Sequence, residues 1–146
     1  MATVRYALPQ PYRDIDHTAD VGVEVEGASS GEALARLVLA EAALLAGGGP
    51  VKAERTARFE VAGPDLCIAA IGPLRELLYR FATERVIAAS CTVGPREQGG
   101  LEVLVEFRPF DPVAHAEGWD LKAVTLHRAR FEEEGGLFRA QAIFDV

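Results

Sequence analysis

The sequence predicts an α+β domain in which a mostly antiparallel or mixed β-sheet is packed with two helices. Period-2 alternation recurs along the chain and dominates its second half, whereas helical spacing appears only twice. The turn at Glu133-Glu134-Gly135-Gly136 joins two alternating stretches too closely for a crossover connection, so they form a hairpin. The elements do not alternate β-α-β-α as a doubly wound parallel sheet requires. At 146 residues, without linker, repeat or low-complexity tract, residues 1–146 read as a single domain.

In chain order, residues 1–15 carry two prolines and no clear period, and read as an irregular lead-in. A first strand is expected from Asp20 to Gly27, where Val21, Val23 and Val25 alternate with Gly22, Glu24 and Glu26. Ser29-Ser30-Gly31-Glu32 then matches a helix capping box. Leu34, Leu37, Val38 and Leu45 share a face of the helix that follows, and Gly47-Gly48-Gly49-Pro50 stops it. Glu41 falls near the middle of that apolar face, and a snorkelling or helix-end glutamate is favoured over a site residue. A strand over 53–62 follows. Gly63-Pro64-Asp65 opens a second helical stretch, whose regular part is expected to start at Pro73 and to bury Leu74, Leu77, Leu78 and Phe81. Strands over 86–93 and 101–107, a loop over 109–119, a strand over 121–131 and a last strand ending at Phe144 complete the chain.

The net charge of −7 argues against a broad nucleic-acid face, which needs clustered Lys and Arg. Cys67 and Cys91 show no metal-binding spacing and imply no disulfide framework. The first twelve residues lack the apolar core of a signal peptide, and no apolar run is long enough to span a membrane. A cytoplasmic protein without a membrane partner is therefore expected.

Chemistry-bearing residues gather at the two ends of the chain. Asp16-His17-Thr18-Ala19-Asp20 sits at the mouth of the first strand, and Asp145 with the Val146 carboxylate ends the last. If these strands lie antiparallel, Asp145 and the terminal carboxylate come level with Asp20, one strand spacing (about 4.8 Å) away. Three carboxylates at one corner repel each other unless a cation sits among them, and oxygen donors select a hard ion of the Ca²⁺, Mg²⁺ or Mn²⁺ class. On the residues alone, the blander alternative is a turn-capping Asp20 and a frayed C-terminus. For His17 and His127 a supporting role is favoured over ligation, His115 reads as a surface residue, and Lys122 as a solvated strand end. No P-loop, nucleophile elbow or H-E-x-x-H pattern occurs.

Four blocks in order resemble the archease family: Asp16-His17-Thr18-Ala19-Asp20-Val21-Gly22, Glu76-Leu77-Leu78-Tyr79-Arg80-Phe81, Lys122-Ala123-Val124-Thr125-Leu126-His127, and Phe144-Asp145-Val146. With their spacing they cover nearly the whole chain. The resemblance implies an α+β domain that is not itself an enzyme but a protein cofactor of the RtcB-type RNA ligase. That ligase joins 2′,3′-cyclic phosphate or 3′-phosphate RNA ends to 5′-hydroxyl ends in tRNA splicing and RNA repair. Its accessory protein promotes GTP-dependent guanylylation of the ligase histidine and multiple turnover, and would meet tRNA only through the ligase. The resemblance also implies metal ligation, calcium included, by Asp20, Asp145 and the Val146 carboxylate. Asp16, His17, Lys122 and His127 would support the site. The alternatives are a metal-dependent hydrolase or nuclease, and a chaperone-like module with a structural metal. Three positions depart from the family pattern: Gly72-Pro73 ahead of Leu74, Leu126 where a tyrosine is usual, and Glu41.

Overall fold

In the computed structural model, which describes residues 3–16, 20–45, 55–111 and 118–146, the strands form two four-stranded antiparallel sheets. The elements are β1 (Val4–Ala7), β2 (Arg13–Asp16), β3 (Asp20–Gly27), α1 (Ser30–Leu45), β4 (Arg55–Val61), α2 (Leu66–Glu84), β5 (Val86–Pro95), β6 (Leu101–Pro109), β7 (Ala123–Glu134) and β8 (Leu137–Asp145). One sheet has the order β1-β5-β6-β4 and the other β2-β3-β8-β7. Helix α1 packs on β3 and β8 of one sheet and on β1 and β5 of the other, while α2 lies against β7, β4 and β5. The expected α+β class with two helices holds, with the strands divided between two sheets.

Alternation explains the inner faces. Val21, Val23 and Val25 are buried opposite Phe144, Ala142 and Ala140, and Val103, Val105 and Phe107 do the same for the other sheet. Truncating a side chain such as Phe107 costs about 3–5 kcal/mol. Helix α1 is buried on nearly every side because both sheets cover it. Its capping box is slightly displaced. Ser29 Oγ accepts from the Glu32 amide at 3.1 Å, while Glu32 Oε1 accepts from the Ala28 amide at 3.0 Å. The hairpin between β7 and β8 turns on Gly135 and Gly136, at φ +62° and +83°, the positive pair a type I′ turn needs.

Three expectations are corrected. The lead-in is not irregular: Val4–Ala7 pairs with β5, and Arg13–Asp16 pairs with β3. Each is a four-residue edge strand, too short to show a period, and edge positions tolerate the nearby prolines. Second, α2 begins at Leu66, not at Pro73. Asp65 Oδ1 accepts from the amides of Cys67 (2.9 Å) and Ile68 (3.2 Å), and the helix runs through Pro73. The proline forfeits one helical hydrogen bond, while Ala70, Ile71 and Leu74 around it are buried. Third, the seventh strand starts at Ala123, two residues later than expected, and runs on to Glu134. The Gly47–Pro50 stop, residues 53 and 54 of the expected strand, and His115 lie outside the described residues.

Candidate metal corner

Strands β3 and β8 are antiparallel neighbours, and their ladder opens with Asp20 opposite Asp145. On its other side Asp145 faces Ala123 of β7, and its carbonyl accepts a hydrogen bond from the Lys122 amide at 2.8 Å. Asp145 is exposed and Val146 is 41% exposed. Asp20 and Asp145 thus meet at one end of the two central strands of the β2-β3-β8-β7 sheet.

The other candidates are not all brought to this pair. Asp16 ends β2 opposite Val21, and His17 lies outside the described residues. Lys122 is exposed, as is His127, whose amide donates to Thr125 Oγ1 at 3.2 Å. His127 belongs to an irregularity of β7. Thr125 pairs with Ile143 and Arg130 with Gln141, so Leu126, His127, Arg128 and Ala129 all stand against Ala142 alone. Arg128 takes a left-handed φ of +55°, and its carbonyl accepts from Gln141 Nε2 at 2.8 Å. Among the described residues no group of three or more His, Cys, Asp or Glu side chains is arranged for a metal ion.

The sheet face beside the corner explains the glycine of the first block. A Cβ on Gly22 would come within 2.6 Å of Ile143 Cδ1 and 3.1 Å of Ile15 Cβ, the residues that flank it on β8 and β2. Ile143 is fully buried there although it lies on the face opposite the main core. Further along the same face Glu24 is nearly buried and is paired with Arg13 and, at 2.6 Å, with Arg130. Arg139 completes the cluster at 3.8 Å from Glu24 and 2.5 Å from Glu26. This network ties four strands together behind the corner.

Glu41 contradicts its expected role. It does not snorkel: it is 1% exposed, and neither carboxylate oxygen has a hydrogen-bond partner. Burial pushes its carboxyl well above the usual range, so the group is held neutral. Cys91, also buried, has its thiol pushed up to about 12 and is no nucleophile at neutral pH.

Beside the corner, between α2 and the start of β7, lies a cleft of about 650 Å³ lined by Arg75, Leu78, Tyr79, Leu121, Lys122 and Val124 among others. Arg75 Nε donates to the Val124 carbonyl at 3.1 Å across its floor. Periodicity does not mark Arg75, because its partner lies 49 residues away. The only hint in the sequence is that Arg75 and Tyr79 stand four apart on the polar side of an apolar helix.

The fold and the corner together define a class: a two-sheet α+β domain whose first long strand and last strand pair at the centre of one sheet and bring acidic residues to one end of it. The Archease protein family (MTH1598/TM1083) matches residues 12–146, and the chain belongs to that family. It is 32% identical over 135 residues to Protein archease of Archaeoglobus fulgidus, covering 92% of this chain and 98% of the relative. Protein archease of Pyrococcus furiosus is 27% identical, covering 90% and 95%. Among solved structures, Methanobacterium thermoautotrophicum protein 1598 superposes with a TM-score of 0.75 at 25% identity, covering 92% of this chain and 98% of that one. A Thermotoga maritima archease, described as a "possible chaperone", superposes with a TM-score of 0.60 at 22% identity, covering 97% and 99%. Among the described residues no helix is long and apolar enough to cross a membrane.

Proposed function

We propose that this protein is a metal-bearing accessory factor of an RtcB-type RNA ligase, promoting GTP-dependent guanylylation of the ligase and its repeated turnover in tRNA splicing and RNA repair. Family membership over residues 12–146 supports the partner, and the register of Asp20 against Asp145 supports the site. The register is the observation that carries the reading. It sets two carboxylate-bearing residues on adjacent strands beside the chain's terminal carboxylate.

Asp20, Asp145 and the Val146 carboxylate form an oxygen-only donor set, which fits calcium, magnesium or manganese better than zinc. When bound, such an ion supplies positive charge where phosphate oxygens develop negative charge. The chain's own residues hold and orient that corner. Ala123 and the Lys122 amide fix Asp145 from one side and β3 fixes it from the other. Lys122 adjoins the corner as a supporting residue, with His127 further along β7 and Asp16 and His17 preceding β3 in sequence. The protein works in the cytoplasm without turnover of its own, and RNA reaches it only through the ligase.

The description of the Thermotoga relative as a "possible chaperone" favours one second reading, an interaction module in which the metal is structural. Multiple-turnover RNA joining separates the two. With the cognate ligase in excess over this protein, the accessory reading expects joined product to exceed the ligase supplied. A protein that only prevents ligase aggregation raises soluble ligase without raising turnovers per ligase.

A further inference from the structure

We propose that the cleft between α2 and the first residues of β7 is the groove in which the partner protein docks, and that it takes an apolar side chain of the partner next to a carboxylate. The inference deepens the accessory-factor reading and rests on it for the identity of the partner.

Strand β7 is an edge of its sheet, and edges left open invite pairing. Here α2 packs beside it without closing the space between, which leaves the cleft of about 650 Å³. The walls are apolar, built from Leu78, Leu121 and Val124 with Ala82 and Ala123, and a cavity of this size takes more than one side chain. The rim carries large residues that the fold leaves in water. Tyr79, itself a lining residue, is 62% exposed, and Trp119, next in sequence to the lining residue Asp120, is 54% exposed. Tyrosine, tryptophan and arginine are the types on which protein interfaces concentrate their binding energy.

Charge selects the occupant. The chain carries −7 overall, yet the cleft presents two cations, Arg75 and Lys122, against the single carboxylate of Asp120. The bond from Arg75 Nε to the Val124 carbonyl fixes the guanidinium and leaves its two terminal nitrogens to meet a carboxylate in the fork geometry arginine favours. An RNA strand would need more cations than two and would meet an acidic surface beyond them. The cleft also lies next to the acidic corner, because the amide of its lining residue Lys122 is bonded to the Asp145 carbonyl at 2.8 Å. A partner seated in the cleft therefore lies alongside the Asp20–Asp145 pair.

The test is the affinity of the cognate RtcB-type ligase for the full chain, measured by calorimetry, for wild type, Tyr79→Ala, Arg75→Glu and a control Glu97→Lys on the exposed β5–β6 turn. Thermal melts check that each variant is folded. The proposal expects Tyr79→Ala and Arg75→Glu each to weaken binding by about tenfold or more, with Glu97→Lys unchanged. It also expects a ligase variant with one interface acid replaced by lysine to bind Arg75→Glu better than wild type. Wild-type binding with both cleft variants at wild-type affinity overturns the groove and leaves the accessory reading standing. No binding by wild type overturns the accessory reading and the groove with it. If Tyr79→Ala loses affinity for an oligoribonucleotide but not for the ligase, the occupant is RNA and the proposal is wrong.

Discussion

Asp20 and Asp145 are separated by most of the chain, yet they are direct partners in the β3–β8 ladder. Two like-charged residues at adjacent strand ends are destabilising in water unless something between them is positive. A divalent cation is therefore expected to stabilise the fold, and thermal melts in calcium, magnesium and manganese test this. Wild type should melt higher as the ion is added, as linkage requires for a ligand of the native state. Asp145→Asn should lose most of that rise, and a short Gly-Ser extension after Val146 should lose part of it by moving the terminal carboxylate. Equal rises in all three proteins would place the ion elsewhere.

Glu41 sets a pH dependence. Its carboxyl is raised well above 4.5 by burial, so the native state keeps the proton longer than the unfolded chain does. The sign follows. The neutral side chain costs nothing in ionisation below about pH 4.5. Stability then falls as pH rises from there toward the elevated native value, by up to about 1.4 kcal/mol per pH unit. Glu41→Met should remove this slope, so its melting temperature should gain on wild type between pH 5 and pH 8. Parallel curves would mean that Glu41 is ionised with a partner.

Gly22 is required by close approach. Gly22→Ala drives a Cβ against Ile143 and Ile15, and overpacking of this kind costs about 1–3 kcal/mol. Urea unfolding should show the loss, and the double variant Gly22→Ala/Ile143→Val should recover part of it. A neutral Gly22→Ala would show that this face has slack.

Asp65→Ala removes the acceptor that satisfies two amides at the start of α2, with an expected cost of about 1 kcal/mol by chemical unfolding. An unchanged midpoint would mean that Asp65 does not anchor the helix start.

Much of this was legible from residue order, for identifiable reasons. The Asp20–Gly27 strand, the Ser29–Glu32 cap and the Gly135-Gly136 hairpin each rest on local chemistry, and local chemistry is written in adjacent residues. The register of Asp20 with Asp145 was legible only as a consequence of supposing the two strands antiparallel. The apolar residues up to Phe144 argue that the last strand does not fray, and Ala140 to Phe144 are indeed buried, whereas Leu137 is exposed. The strands at Val4 and Arg13 were hidden by their length, and the start of α2 by Pro73, whose cost is offset by burial that periodicity does not reveal. Glu41 was misread because a charged side chain on an apolar face usually reaches water, and here two sheets enclose the helix. The cleft depends on Arg75 meeting Val124, which no local pattern announces.

The central claim is that the acidic corner acts on the ligase. The most direct measurement is guanylylation of the cognate RtcB-type ligase with labelled GTP, using this protein at sub-stoichiometric amounts as wild type, Asp20→Ala and Asp145→Ala. The account predicts that wild type accelerates label incorporation and that both variants, shown to be folded by thermal melt, do not. Folded variants that match wild type would contradict the claim for the corner, and a wild-type protein without effect would contradict the claim for the ligase.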